Sequence, residues 1–286
     1  MANLLNDFLS LFAEHKRPKL LIIGAQKSGT TTLFDLLEAA PEFCGADVKE
    51  VGFFIHDMFY RKGESWYLRK FKNCGKTTIN FEATPEYLYY PDVPRKIYSF
   101  DKAIKFIVVM RDPSARCYSA WNMFRNFNKH SPREIYEKFA QYANPPIREA
   151  AKSLLFAENF PTFERAVADD IERYKIKSND LEPSFVRRGI YCEQIENYLQ
   201  TFSLSDFLFL EQRELSRPSF VLNKIADFLG VEINEALVKG PVLSNSGTYG
   251  KNEENIEDVM SMLKEFYRPH NEKLFNKIGI RYDWNE

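Results

Sequence analysis

Apolar and polar residues fall into blocks along this chain, and the blocks switch period in a regular order. Residues 3 to 13 place Leu4, Leu5, Phe8, Leu9, Leu11 and Phe12 at helical spacing, which predicts an amphipathic helix. Its polar positions are not basic, so packing on the core is expected ahead of docking on a partner or a membrane. Lys19-Leu20-Leu21-Ile22-Ile23-Gly24 is an unbroken apolar run of branched residues that stops at a glycine, the pattern of a buried parallel strand. Leu33, Leu36 and Leu37 then share one face of a helix from Thr31 to Ala40, stopped by Pro41. Further strands are expected at 77–82, at 104–110, a stronger run, and at 206–210. Arg111-Asp112-Pro113 closes the 104–110 strand and opens a helix through Ala115 to Phe124. Residues 126–160, with Pro132, Pro145 and Pro146, read as irregular and as an insertion or lid. Helices are expected around 162–174, 190–202, 217–229 and 254–267, the last two flanking a polar loop from Ser244 to Lys251. Strands alternating with helices imply a three-layer α/β fold, a central parallel sheet covered on both faces. Without repeats or a clear linker, residues 1–286 read as a single domain.

Composition narrows the partners. Lys and Arg total 39 against 40 for Asp and Glu, a net charge of -1, which argues against a surface that coats nucleic acid. The four cysteines, Cys44, Cys74, Cys117 and Cys192, are far apart and form no C-x-x-C pair, so neither zinc nor redox chemistry is expected. So few in a chain this long predict free, reduced thiols and a cytoplasmic setting. Asp7 and Glu14 interrupt the N-terminal apolar residues, so no signal peptide is expected. No apolar run is long enough to span a bilayer.

Chemistry enters at Gly24-Ala25-Gln26-Lys27-Ser28-Gly29-Thr30-Thr31. A helix N-terminus offers unpaired N–H groups and partial positive charge, and glycines let the backbone close around an anion. Gly24 and Gly29 have the spacing of an NTPase phosphate loop, G-x-x-x-x-G-K-[ST], but Thr30 stands where that loop has its lysine. The lysine is instead Lys27, inside the loop. A plain glycine turn between strand and helix is the bland alternative.

This strand and loop resemble the 5′-phosphosulfate loop of the sulfotransferases that use 3′-phosphoadenosine 5′-phosphosulfate (PAPS). Val108 to Ser119 resembles that family's 3′-phosphate segment, with Arg111 at a strand end, where ligands of open α/β sheets bind, and Ser119 two helical turns on. Arg116 competes with Arg111 for this role, and a surface salt bridge with Asp112 is Arg111's alternative use. The likeness extends over most of the chain and is greatest to the branch containing the heparan sulfate glucosaminyl 3-O-sulfotransferases and their bacterial relatives. Lys49-Glu50-Val51-Gly52-Phe53-Phe54 resembles the segment carrying that branch's catalytic glutamate. Trp66-Tyr67-Leu68, Glu82-Ala83-Thr84-Pro85-Glu86-Tyr87 and Val93-Pro94-Arg95-Lys96-Ile97-Tyr98 recur in its order, as do Leu263 to Tyr267 and Tyr282-Asp283-Trp284. The same likeness puts Gly247, Thr248, Tyr249, Gly250 and Lys251 on the family's last cofactor loop and turns Tyr191 toward the cofactor. Two departures stand out. Ala83 replaces a lysine typical of the glycan enzymes' acceptor cleft, and the last loop carries Lys251 as its only charge. The family's disulfide near that loop has no partners here.

The resemblance implies sulfuryl transfer from PAPS to an acceptor hydroxyl, without a metal. Glu50 would take the hydroxyl proton, Lys27 would stabilise charge on the bridging oxygen, and the N–H groups of Ser28, Gly29, Thr30 and Thr31 would hold the 5′-phosphate. Glu82, near a strand end, is a rival that could instead orient Lys49 or a cofactor group, and His56, six residues past Glu50, is the nearest histidine candidate but reads as a surface or acceptor-side residue; His15, His130 and His270 are the remaining histidines. A sugar hydroxyl is the first acceptor, a polyketide, lipid or other small-metabolite hydroxyl the second. A nucleotide or small-molecule kinase is the rival class, and an anion-binding module without a base is the third.

Overall fold

The computed structural model describes residues 17–71, 73–75, 77–141, 145–178, 181–234 and 255–285. In chain order these form β1 (Leu20–Gly24), α1 (Thr30–Glu38), β2 (Phe43–Gly45), α2 (Asp57–Tyr60), α3 (Glu64–Leu68), β3 (Ile79–Ala83), α4 (Val93–Phe100), β4 (Lys105–Met110), α5 (Pro113–His130), α6 (Pro132–Ala140), α7 (Pro145–Leu155), α8 (Phe163–Lys175), α9 (Tyr191–Leu199), β5 (Phe207–Glu211), α10 (Pro218–Leu229) and α11 (Ile256–Ile278). They cluster into two compact units, Met1–Met110 with Thr201–Asn245, and Arg111–Gln200 with Ser246–Glu286.

The first unit holds the whole sheet. All five strands are parallel, in the order β2-β3-β1-β4-β5. Alternation along each strand sorts side chains to two faces. Leu20, Ile22, Phe81, Ile107 and Val109 face Leu33 and Leu37 of α1 and Leu222 and Ile225 of α10. The opposite face is aromatic: Phe53 stacks on Tyr67, Phe54 meets Tyr87 and Phe100, and Phe106 packs between Phe202 and Phe207. The expected parallel α/β sheet flanked by helices is therefore what the chain forms. β2, with three residues, is too short to show a period in the sequence.

The second unit is helical. Trp121 and Cys117 of α5 are buried, and the Trp121 indole donates to the Pro161 carbonyl at 3.0 Å. Asp170 of α8, fully buried, accepts from the N–H groups of Val186 and Arg187 at 2.6 and 3.0 Å and from Arg187 Nε at 2.7 Å. Tyr267 of α11 donates to the Val186 carbonyl at 2.7 Å.

Three expectations need correction. Residues 126–160 are not irregular: α5 runs on to His130, and α6 and α7 fill most of the remainder. Pro132 and Pro145 each open a helix, where the missing N–H has no intrahelical partner to lose. The last helix does not end near 267 but continues through Pro269 to Ile278, because Leu263, Tyr267, Leu274 and Phe275 are buried along it and packing outweighs the proline's local cost. The cysteines are not all free: Cys44 and Cys74 form a disulfide, while Cys117 and Cys192 are buried thiols. Cysteine usage therefore no longer argues for a reducing compartment. Among the described residues no helix is long and apolar enough to cross a membrane. The predicted helix at 3–13 lies outside the described residues.

Candidate functional site

In the first unit, β1 delivers its carboxyl end to the glycine loop. The Ala25 N–H donates to the Val109 carbonyl at 2.6 Å, fastening the loop to β4, and the Ser28 N–H donates to the Ala25 carbonyl at 3.1 Å. Lys27 has φ 69°, and Gly29 has φ 93° as the N-cap of α1. A side chain at Gly29 would be strained by that φ and would also sit 2.7 Å from Leu215 Cδ1. No side chain caps α1. The N–H groups of Thr30 and Thr31 have no carbonyl four residues back within the helix to donate to. The Ser28 hydroxyl is fully buried and has no hydrogen-bond partner among the described residues. An orphaned donor at a helix N-terminus, with Lys27 beside it, suits a phosphate or sulfate group.

Glu50 stands at the carboxyl end of β3, the strand next to β1. Its N–H donates to the Ala83 carbonyl at 3.0 Å, and two residues on the Gly52 N–H donates to Thr84 Oγ1 at 3.3 Å. Both residues have positive φ, 63° and 65°, so the chain turns sharply and leaves the Glu50 carboxylate more than half exposed. Lys49 Nζ donates to Glu50 Oε1 at 2.8 Å. The phosphate loop and Glu50 therefore share one edge of the sheet. The chain crosses there from one side of β1 to the other, the place where open α/β sheets bind ligands.

The rivals of Glu50 are placed differently. Glu82 is fully buried and cannot meet an acceptor. His56 lies with its ring over Gly52: a Cβ there would be 2.7 Å from the imidazole. Burial, with Lys96 nearby, pushes the His56 imidazole down to about 4, so it is neutral at pH 7 and a weaker base than an ordinary histidine. His270 lies in the second unit beside Cys192, 3.9 Å from its sulfur. His130 closes α5, and His15 falls outside the described residues.

In the second unit, Arg111 follows the last residue of β4 directly in the chain. Asp112 does not pair with it; its carboxylate accepts from the Ser114 N–H at 2.8 Å and caps α5. Among the described residues the half-buried Arg111 guanidinium has no hydrogen-bond or ion-pair partner. Arg116, its competitor, is fully buried and donates to the Phe185 carbonyl, with Nε and Nη1 unpartnered among the described residues. Burial leaves Arg111 as the cation in this stretch that a dissolved anion can reach. Ser119 is buried in the second turn of α5. Tyr191 donates its hydroxyl to the Arg111 carbonyl at 3.0 Å, so it fixes the backbone that carries the arginine. Gly247, Thr248, Tyr249 and Lys251 lie outside the described residues. Among the described residues, no group of three His, Cys, Asp or Glu side chains could hold a metal ion.

Sequence reasoning missed the cage around Glu82. Thr84 Oγ1 approaches Glu82 Oε1 at 3.4 Å, and the buried phenols of Tyr67 and Tyr87 bear on the same carboxyl. The one available signal was a carboxylate on the face of β3 that otherwise packs against aromatic residues.

The family described as "Sulfotransferase domain" matches residues 17–284. Heparan sulfate glucosamine 3-O-sulfotransferase 3B1 of Mus musculus is 26% identical over 98% of this chain and 68% of its own length. Heparan sulfate glucosamine 3-O-sulfotransferase 6 of Mus musculus is 27% identical over 94% of this chain and 74% of its own. A crystal structure of a sulfotransferase from Alicyclobacillus acidocaldarius superposes with a TM-score of 0.64 at 22% identity, covering 94% of this chain and 99% of that one. That likeness is one of fold.

Proposed function

The chain belongs to the sulfotransferase domain family, and on that premise we propose that it moves the sulfuryl group of PAPS to an acceptor hydroxyl, in the first place on a carbohydrate. The observation that carries the reading is the loop after β1, with Lys27 inside it and the buried Ser28 hydroxyl unpartnered among the described residues, on the same sheet edge as Glu50. PAPS is the co-substrate that supplies an activated sulfuryl group. Gly29, Thr30 and Thr31 bind its 5′ end through N–H groups at the start of α1, Ser28 through its hydroxyl because its N–H is taken by the Ala25 carbonyl, and Lys27 offsets negative charge there. Arg111 and Ser119 bind the 3′-phosphate, the group that separates this donor from ATP, and a guanidinium fork suits it. Tyr191 holds the Arg111 backbone. Glu50 accepts the acceptor's hydroxyl proton as the new O–S bond forms and the bond from sulfur to the 5′-phosphate oxygen breaks, leaving adenosine 3′,5′-bisphosphate. Such a base contributes on the order of 10²–10⁴ in rate.

The relatives' names support a sugar hydroxyl as acceptor. Ala83 supports a less anionic one than heparan sulfate, because this position, fully buried, supplies no cation. A polyketide, lipid or other small-metabolite hydroxyl is the second reading, favoured by the same residue. A kinase would need a lysine after Gly29, where Thr30 stands.

The test is Glu50→Gln. Turnover should fall at least 100-fold while the dissociation constant for adenosine 3′,5′-bisphosphate stays within about 2-fold. Activity within a few-fold of wild type would remove Glu50 from the mechanism. Adenosine 3′,5′-bisphosphate without magnesium should raise the melting temperature more than Mg-ATP does, and the reverse order would sink the donor assignment in favour of a kinase.

A further inference from the structure

The hydrogen bonds that hold Glu50 lead back into the protein. Glu50 and Gly52 are fastened to the end of β3 at two points, the Ala83 carbonyl at 3.0 Å and Thr84 Oγ1 at 3.3 Å. The first is backbone and independent of side-chain identity. The second depends on where the Thr84 hydroxyl points, because an oxygen that accepts from Gly52 must send its own hydrogen elsewhere. That hydrogen has Glu82 Oε1 in reach at 3.4 Å. Glu82, Thr84, Tyr67 and Tyr87 are all buried, so water cannot substitute for a lost partner. Tyr87 extends the same cage forward: its hydroxyl is the oxygen toward which the Phe54 N–H points, at 3.5 Å.

We propose that Glu82 is a positioning residue: by holding the Thr84 hydroxyl it orients the Gly52 N–H contact and so fixes the turn that presents Glu50. The inference rests on Glu50 being the base. Glu82 touches neither donor nor acceptor and acts only through Thr84. Four features agree with this role. Among the described residues its Oε2 has no hydrogen-bond partner of ordinary geometry, nor has the Tyr67 hydroxyl, so each remaining contact of the cage matters. Burial raises the carboxyl to about 8, against lowering by Tyr87, Thr84 and Tyr67. The titratable groups bearing on it are the two phenols, Tyr67 of α3 and Tyr87 in the turn after β3, both pushed well above the usual tyrosine range by burial. At neutral pH Glu82 is therefore an uncharged acid, which a glutamine can imitate in shape and in accepting a hydrogen bond.

The experiment compares Glu82→Gln, Glu82→Met, Thr84→Ser and Thr84→Val, with Glu50→Gln as reference. The full-length chain is assayed with PAPS and a saturating hydroxyl acceptor that the wild type turns over. Glu82→Gln and Thr84→Ser should keep kcat within about 3-fold. Glu82→Met and Thr84→Val should lose at least 10-fold in kcat, with the dissociation constant for adenosine 3′,5′-bisphosphate unchanged within 2-fold. Equal loss in Gln and Met, or no loss in Met, would overturn the proposal. If Glu82→Met does not fold, the Thr84 pair decides. Should Glu50→Gln remain active, the function proposed above fails instead; an inactive Glu50→Gln beside an active Thr84→Val indicts Glu82 alone.

Discussion

Arg111 is a half-buried cation without a partner among the described residues. Charge-assisted hydrogen bonds contribute about 1.5–3 kcal/mol each. Arg111→Ala should therefore weaken adenosine 3′,5′-bisphosphate binding roughly 10- to 150-fold by titration calorimetry, and leave adenosine 5′-phosphosulfate almost unaffected. Arg111→Lys should fall between, because a point charge replaces a fork. Equal loss for both ligands would detach Arg111 from the 3′-phosphate. Gly29→Ala meets two obstacles, a φ of 93° and Leu215 at 2.7 Å. A loss of about 1–3 kcal/mol is expected in urea melts, with bisphosphate binding impaired. Glu82 gives the pH dependence its sign. Its folded value, about 8, lies above the ordinary carboxylate value of 4.5. Between those limits the unfolded chain has released a proton that the folded chain keeps. Stability from this group should decline as pH rises from about 4.5 to about 8 and then level off, and Glu82→Gln should flatten that slope. These residues differ in how far the sequence disclosed them. Lys27 and Glu50 stand in local patterns. Arg111 could be read only with its competitor Arg116 and its alternative partner Asp112 beside it, and the burial of the one and the capping by the other are three-dimensional facts that no local pattern carries. The setting of Glu82 depends on Tyr67 and Tyr87, side chains from two other segments that no local pattern joins to it.

Among the elements, strands were more legible than what joins them. β1 and β4 announced themselves as apolar runs because both of their faces are covered. β2 did not, since three residues cannot show a period. Prolines misled in both directions. At Pro132 and Pro145 they start helices, and at Pro269 one sits inside a helix kept by buried neighbours. The Cys44–Cys74 bond was not legible either, because thiol count and spacing say nothing about which side chains meet. It ties β2 to the segment before β3 across a sequence separation of 30 and encloses α2, α3 and Glu50. Closing a loop of that length stabilises by roughly 3–4 kcal/mol in the chain-entropy account. Cys74→Ser should lower unfolding free energy by about that amount, and reductant should lower the wild type but not the variant. If reductant leaves the wild-type urea midpoint unmoved, the bond does not form in solution.

For the whole chain, the α/β class was readable from alternating periods, but the strand order was not, since any right-handed set of crossovers satisfies the same pattern. The order β2-β3-β1-β4-β5 also sets a schedule. β1 is synthesised first and lies in the middle, yet its neighbours β3 and β4 come much later, β4 after roughly 80 further residues. At about 5–20 residues per second, Leu20 to Gly24 wait some 4–16 seconds before both edges are paired, and β5 needs about 100 residues more. During that interval the most apolar strand of the molecule is an open template for other chains. Ribosome-bound chains halted before Lys105 should accordingly be cut by protease near β1, and chains halted well past Glu211 should resist.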